Sequence, residues 1–171
     1  AVFLSYEEYC KETENRMVEA LFVSAGIGAV IAENASIAGA SGGCQAEIGS
    51  ASAMAAGGLA YLQGGDAECI ANAAAFALKN MLGLTCDPVC GLVEVPCIKR
   101  NSAGAVNAAV SAQMAMAGIK SAIPADEVVD SMRRIGNALP AALRETSEGG
   151  LAVTESARKI AERMGKKEHI A

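Results

Sequence analysis

Apolar side chains recur every three or four residues along most of this chain, which is the spacing of one face of an α-helix. Gly, Pro and short polar residues interrupt that spacing, and each interruption marks an expected helix end. The predicted helices cover about residues 15–32, 45–62, 67–82, 99–118, a stretch that begins at Pro124 and a stretch that begins at Thr154. The polar and aromatic residues 1–14 predict a lead-in loop or a short helix.

The same spacing predicts which side of each helix packs against the rest of the protein. The predicted packed positions are Met17, Leu21, Ala25, Gly28, Val30 and Ile31 in the first helix, Ile70, Ala74, Ala77 and Met81 in the third, Ala103, Val106, Val110, Met114 and Ala117 in the fourth, and Val128, Met132, Ile135 and Leu139 in the fifth.

Two segments between these helices predict loops. Residues 34–43 are rich in Gly, Ser and Asn, which break helices and leave backbone amides open. Residues 83–98 are interrupted by Pro88, Gly91 and Pro96, which exclude a continuous helix. We expect an ordered loop there, with a short extended piece at Leu92–Val95.

The composition favours closely packed helices over sheets. The 171 residues are 52% hydrophobic but only 4% aromatic, with no Trp and 18 Gly, and Ala is the strongest helix former. We predict an all-α fold, a compact bundle of about six Ala/Gly-rich helices with cysteine-bearing loops at the helix ends. No linker or repeat divides the chain, so residues 1–171 predict a single domain.

Charge and hydropathy narrow the possible partners. A net charge of −5 argues against a nucleic-acid partner. No Lys, Arg or His lies between Arg16 and Lys79, which indicates a buried stretch or an interface. The uncharged segment 48–65 is mostly Ala, Gly and Ser with few large apolar residues, which predicts a buried helix rather than a membrane span. With no signal-peptide pattern, we expect a cytoplasmic protein with no membrane partner.

The six cysteines are the first candidates for chemistry. In cytosolic proteins clustered cysteines more often bind metal or act in catalysis than form disulfides. Cys44, Cys86 and Cys97 lie at predicted helix ends, where helix N-termini lower thiolate pKa values and favour anionic ligands. No CxxC pair typical of structural zinc occurs, whereas iron–sulfur clusters accept dispersed ligands. The alternative is that the thiols are small buried hydrophobes.

Three runs of sequence carry a family resemblance. They are GLTCDPVCGLVEVPCIKRN at 83–101, ENASIAGASGGCQAEIGSA at 33–51 and EGGLAVT at 148–154. In that content and order the chain resembles the iron–sulfur-dependent L-serine dehydratases (L-serine ammonia-lyases), over about residues 18–155.

The resemblance implies the C-terminal part of the α subunit or α domain, without an upstream α segment. It implies a [4Fe–4S] cluster held by Cys44, Cys86 and Cys97, with one iron open as a Lewis acid for the serine hydroxyl. It implies conversion of L-serine to pyruvate and ammonia without pyridoxal phosphate (PLP). The implied partners are a β subunit or β domain and the upstream α segment, in an oligomer. Cys90 is not carried over as a ligand.

Polar residues beside the cysteines are candidates for binding serine. Asn34 and Ser36 can offer hydrogen bonds near Cys44. Lys99 and Arg100 follow Cys97 at a helix start, where a carboxylate can be bound. A solvated first turn is the alternative for this basic pair.

The general base is not assigned. Glu33 and Glu47 lie in the stretch without basic residues, where a buried carboxylate can act as a base or be purely structural. Asp87 could orient the metal-ligating Cys86 beside it, but its place before Pro88 favours an Asx turn, which we predict. The one histidine, His169, is the third residue from the end of the sequence, so a histidine base would come from the upstream segment or a partner.

Two other functions stay open. One is an iron–sulfur cysteine desulfidase, which would release sulfide instead of water. The other, from a different class, is a helical interaction module whose cysteines are inert or bind structural zinc.

Overall fold

The computed structural model describes residues 1–165. Within them the chain forms eight α-helices and no β-strand, which confirms the all-α prediction. The helices are α1 (Val2–Cys10), α2 (Glu14–Asn34), α3 (Gly39–Gly42), α4 (Ser50–Leu62), α5 (Ala67–Lys79), α6 (Cys97–Met116), α7 (Ala125–Ala138) and α8 (Glu155–Arg163). A π-helical turn, Gln45–Gly49, leads directly into α4.

The helix ends follow local signals in the sequence. The Asp66 carboxylate accepts a hydrogen bond from the Cys69 amide at 2.8 Å and caps α5. Thr154 caps α8 in the same way, through the Ala157 amide. Such caps satisfy amides that have no partner inside the helix.

Helix α4 lies at the centre and packs against α2, α5 and α6. The main core is built mostly from alanines on these helices, together with Ile31, Leu78 and Met132. Glycines allow the close approach: a Cβ on Gly58 would lie 2.3 Å from the Phe3 ring and 3.0 Å from the Ala20 carbonyl oxygen. The small residues noted in the sequence are therefore the contacts between helices.

The predicted packed faces are confirmed in some helices and wrong in others. In α7, Val128 and Met132 are buried as predicted. In α6 the predicted face is wrong, because Val106 and Val110 are more than half exposed. The buried positions of α6 are Gly104, Ala108, Ser111, Ala112 and Ala115. In α2, Met17, Gly28 and Ile31 are buried, whereas Leu21, Ala25 and Val30 are exposed.

The two predicted loops differ in detail from expectation. Residues 34–43 include the single helical turn α3. Residues 83–96 are non-helical apart from a 3₁₀ turn at Val89–Gly91, as expected. The predicted extended piece at Leu92–Val95 is wrong, because Val93–Pro96 form turns that bring the Val95 carbonyl to the Val89 amide at 2.9 Å.

By length and composition alone, α2 is the one helix in residues 1–165 that could cross a membrane. Core helices of soluble proteins meet the same criterion, so the helix carries no assignment. The absence of a membrane partner stays a prediction.

Candidate metal centre

Two of the three predicted ligands, Cys44 and Cys86, meet in the protein interior. The sulfurs of Cys44 and Cys86 and a carboxylate oxygen of Glu47 all lie within 4.8 Å of one another. Both cysteines are nearly fully buried and form a small core cluster with Ile48. A tight set of thiols and a carboxylate is an arrangement that can hold a metal ion.

The Cys44 end of this pair is fixed by its neighbours in sequence. Gly43 has a φ of +75°, and a Cβ there would lie 2.7 Å from the Leu84 carbonyl oxygen. The Gln45 amide donates to that same oxygen at 3.0 Å. The buried Gln45 side chain accepts from the Gly83 amide and donates to the Met132 carbonyl. Glycine is thus required where the two cysteine segments touch.

The Cys86 end is fixed by a distant segment of the chain. The Cys86 amide donates to the Leu143 carbonyl at 2.9 Å, and the Glu145 amide donates to the Cys86 carbonyl at 2.8 Å. Ser147 adds a hydroxyl hydrogen bond to the Pro88 carbonyl. Backbone pairing therefore joins the 83–101 run to the residues leading into 148–154.

The electrostatics of the pair favour neutral thiols when no cation is bound. Burial raises the pKa of Cys44, while a hydrogen bond from Cys86 and the nearby Arg100 charge lower it. Burial also raises the pKa of Cys86, and the neighbouring Cys44 sulfur raises it further. The predicted lowering of thiolate pKa values is therefore wrong for these two thiols, because desolvation outweighs the helix ends.

Glu47 lies at the open side of the cysteine pair. Its residue is exposed, yet one carboxylate oxygen lies 4.0 Å from the Cys86 sulfur. Partial burial and the charge of Glu145 raise the pKa of Glu47, and a hydrogen bond from the Gly39 amide lowers it. Glu33, the other predicted carboxylate, is exposed and lies outside this group.

Cys97 is the first residue of α6 and is partly buried. Its sulfur is not part of the tight group of Cys44, Glu47 and Cys86. It is close enough for Arg100 to lower its pKa and for Glu47 to raise it, although burial has the largest effect, in the raising direction. Cys97 thus borders the site, and its role as a ligand stays a prediction.

The basic pair after Cys97 splits into two environments. Lys99 is exposed. Arg100 turns inward, and its Nη1 lies 2.6 Å from the Asp87 carboxylate and 3.8 Å from the Cys44 sulfur. The predicted Asx turn at Asp87 is wrong, because its carboxylate binds Arg100 and the Leu151 amide instead.

The remaining predicted residues lie at the rim or elsewhere. The exposed Asn34 ends α2 and donates to the Val30 carbonyl, and the Ser36 hydroxyl accepts from the Ala38 amide. Both precede α3, and their contact with a substrate stays a prediction. Cys10 and Cys69 lie away from the pair, at the end of α1 and on α5. His169 lies outside the described residues.

Sequence reasoning missed the joining of Asp87 to Leu151, because residues 64 positions apart show no local pattern. The place of Glu47 beside the cysteines did have a signal. Residues three apart on a helix share a face, and Glu47 follows Cys44 by three.

Comparison with known proteins decides the family. The family model described as "Serine dehydratase alpha chain" matches residues 1–152. The chain belongs to the serine dehydratase alpha chain family. It is 54% identical over 158 residues to the probable L-serine dehydratase alpha chain of Bacillus subtilis. It is 58% identical over 134 residues to the probable L-serine dehydratase alpha chain of Latilactobacillus sakei, and 53% over 137 residues to the L-serine dehydratase alpha chain of Peptoniphilus asaccharolyticus.

These alignments cover 92%, 78% and 80% of this chain, but 53%, 64% and 47% of the respective relatives. The chain thus spans about half to two thirds of the length of these family members. The resemblance drawn from the three sequence runs is confirmed at the level of the family.

Proposed function

We propose that this chain is the cluster-binding part of an L-serine dehydratase α subunit, which with a β subunit converts L-serine to pyruvate and ammonia. The observation that carries the proposal is the meeting of Cys44 and Cys86 in a chain of this family. The names of the three relatives support the substrate, and their designation as alpha chains supports a β partner.

The residues present fit an iron–sulfur cluster. Two buried thiols are held against each other with raised pKa values. The raised pKa values mean that forming buried thiolates without a cation costs free energy. A bound cation compensates the thiolate charge and so couples metal binding to folding. Cysteines on a cluster bind different iron atoms, so they do not all need to meet as ligands of one ion do. The position of Cys97 just outside the tight group is compatible with a third cysteine ligand.

A [4Fe–4S] cluster with three cysteine ligands supplies an open iron that acts as a Lewis acid on the serine hydroxyl. In the proposed site Cys44, Cys86 and Cys97 hold this group. Lys99 is the exposed cation at the rim that suits the substrate carboxylate, and Asn34 and Ser36 are the nearby polar groups of the other cysteine segment. Loss of water from serine leaves aminoacrylate, which tautomerises and hydrolyses to pyruvate and ammonia without PLP.

The sequence supports four further parts of the proposal. Residues 1–171 form a single domain, the subunits assemble as an oligomer, the site of action is the cytoplasm, and an upstream α segment completes the subunit. Residues 17–78 contain no basic side chain and only a few carboxylates. This low charge supports coverage of their surface by another part of the assembly.

The decisive experiment is anaerobic reconstitution of the chain, co-produced with the β chain of its source, followed by iron, sulfide and zinc analysis and a pyruvate assay. We expect iron and sulfide in equal amounts and visible absorption from the cluster. Cys44→Ser, Cys86→Ser and Cys97→Ser should each abolish cluster binding, whereas Cys69→Ser should retain it.

One alternative has its own support in the structure, because Cys44, Glu47 and Cys86 could ligate a single zinc ion. Zinc at one ion per chain, lost in Glu47→Gln but retained in Cys97→Ser, would overturn the cluster and favour the interaction module. A loaded protein that releases sulfide from L-cysteine faster than it forms pyruvate from L-serine would favour the desulfidase.

A further inference from the structure

Arg100 occupies a position that a solvated helix turn does not explain. Its side chain is only 18% exposed and that of Asp87 only 4%. Arg100 Nη1 donates to the Asp87 carboxylate at 2.6 Å and to the Thr85 carbonyl at 2.7 Å. Because Nη1 carries two hydrogens, these bonds use both, and the Cys44 sulfur at 3.8 Å is a longer contact with the positive charge.

Asp87 extends this contact to the C-terminal run. Its second carboxylate oxygen accepts a hydrogen bond from the Leu151 amide at 2.7 Å. Gly150 lies directly against it, since a Cβ there would be 2.3 Å from the same oxygen. One carboxylate therefore joins α6, residues 83–96 (the Cys86 loop) and residues 150–151.

We propose that Arg100 and Asp87 are positioning residues of the cysteine site. Arg100 places a positive charge beside the Cys44 sulfur, and Asp87 fixes Arg100 while tying residues 150–151 to the Cys86 loop. The inference rests on the proposed function, since the sulfur is then a cluster ligand. It also removes Arg100 from the substrate-binding set, because its charge is balanced by Asp87.

A cation beside a ligand sulfur has measurable consequences for a cluster. Hydrogen bonds and positive charge near the sulfurs stabilise the more negative, reduced state and raise the reduction potential. Groups that orient ligands also slow metal loss, and removing one costs about 10- to 100-fold in metal affinity.

The test compares variants of the loaded α chain in complex with its β chain under anaerobic conditions. In Arg100→Gln we expect iron affinity, measured by competition with a chelator, to fall about 10- to 100-fold, with a reduction potential shifted to lower values. Arg100→Lys keeps the charge and should recover most of the potential. Arg134→Gln, in an exposed ion pair with Asp130 on α7, is the matched control and should change neither quantity.

A double variant separates the positioning role from a purely structural ion pair. Arg100→Gln alone leaves Asp87 as a buried unpaired charge, which destabilises the fold. Arg100→Gln combined with Asp87→Asn removes both charges and should recover thermal stability. We expect both the iron affinity and the potential to stay low in the double variant.

Three outcomes decide the matter. If the double variant recovers both the potential and iron retention, the pair is structural and the inference is wrong. If Arg100→Gln behaves as Arg134→Gln does, the inference is also wrong, although the cluster assignment stands. If the unaltered complex takes up no iron and sulfide, the proposed function fails first and the inference fails with it.

Discussion

The π turn Gln45–Gly49 and the helix α4 that continues from it are held by different kinds of contact. Along α4 the buried side is Ala, Gly, Ser and Leu, and its neighbours on α2, α5 and α6 are mostly alanines with a few larger apolar residues such as Ile31 and Leu78. At the π turn, the buried Gln45 side chain bonds the Gly83 amide and the Met132 carbonyl. The Cys44 sulfur just before it contacts a guanidinium.

This difference separates scaffold from site. The contacts along α4 are mainly non-directional burial, to which the Ser24 and Ser52 hydroxyls add hydrogen bonds to the Met54 and Gly104 carbonyls. The contacts at the π turn are hydrogen bonds and glycine approaches, each of which needs a particular atom. π turns inside helices occur frequently at functional sites, and here the turn presents Cys44 and Glu47 together.

The largest effect should come from the scaffold. Leu78, on α5, is 2% exposed in the main core, and Leu78→Ala should lower the free energy of unfolding by about 2–5 kcal/mol through lost burial and a cavity. Urea denaturation measures this loss. If the loss matched that of an exposed substitution such as Val106→Ala, the scaffold would not be the stabilising part.

A matched pair of glycines tests the close approach at the site. Gly43 and Gly64 both have positive φ, but only Gly43 faces backbone, since a Cβ on Gly64 meets nothing within 4 Å. Each Ala substitution costs about 1–3 kcal/mol of backbone strain, and Gly43→Ala should cost more because of the Leu84 carbonyl. Hydrogen exchange at the Gln45 amide should rise in Gly43→Ala and not in Gly64→Ala. Equal costs and unchanged exchange would contradict the close contact.

The smallest effect should come from the outer face of α6. Val106 is 64% exposed, so Val106→Ala should change the free energy of unfolding by no more than about 0.5 kcal/mol. Ala108, two residues along and fully buried, provides the contrast: Ala108→Val should destabilise the isolated chain through overpacking. If thermal unfolding showed Val106→Ala to be more destabilising than Ala108→Val, the result would favour the packed face predicted from the sequence.

The two helices α6 and α7 show where sequence patterns work. In α7 the apolar residues alternate with charges such as Asp130 and Arg133, so the packed side is evident. Helix α6 lies so close to α4 and α5 that its packed side accepts only small residues such as Gly104 and Ala108. Val106 and Val110 remain on the exposed side. A rule that places the larger apolar residue inside fails when the spacing between helices is set by alanine and glycine.

The sequence predicted the cysteines of the candidate site but not the contacts of Arg100 and Asp87 beside them. Cys44 and Cys86 stand in long family motifs, and the structure brings them together. The partners of Arg100 were not evident, because an arginine at a helix start suits solvent, substrate or a carboxylate equally. The choice of Asp87 depends on a loop geometry that local sequence does not encode.

The sequence by itself determined the all-α fold, most helix ends and the family, because helix periodicity, capping residues and motifs are local properties of the chain. Only the tertiary structure decided that three distant runs meet at one place, through the Gln45–Leu84, Cys86–Leu143 and Asp87–Leu151 contacts. Those contacts join residues far apart in sequence, and their partners are chosen by how the alanine-rich helices pack.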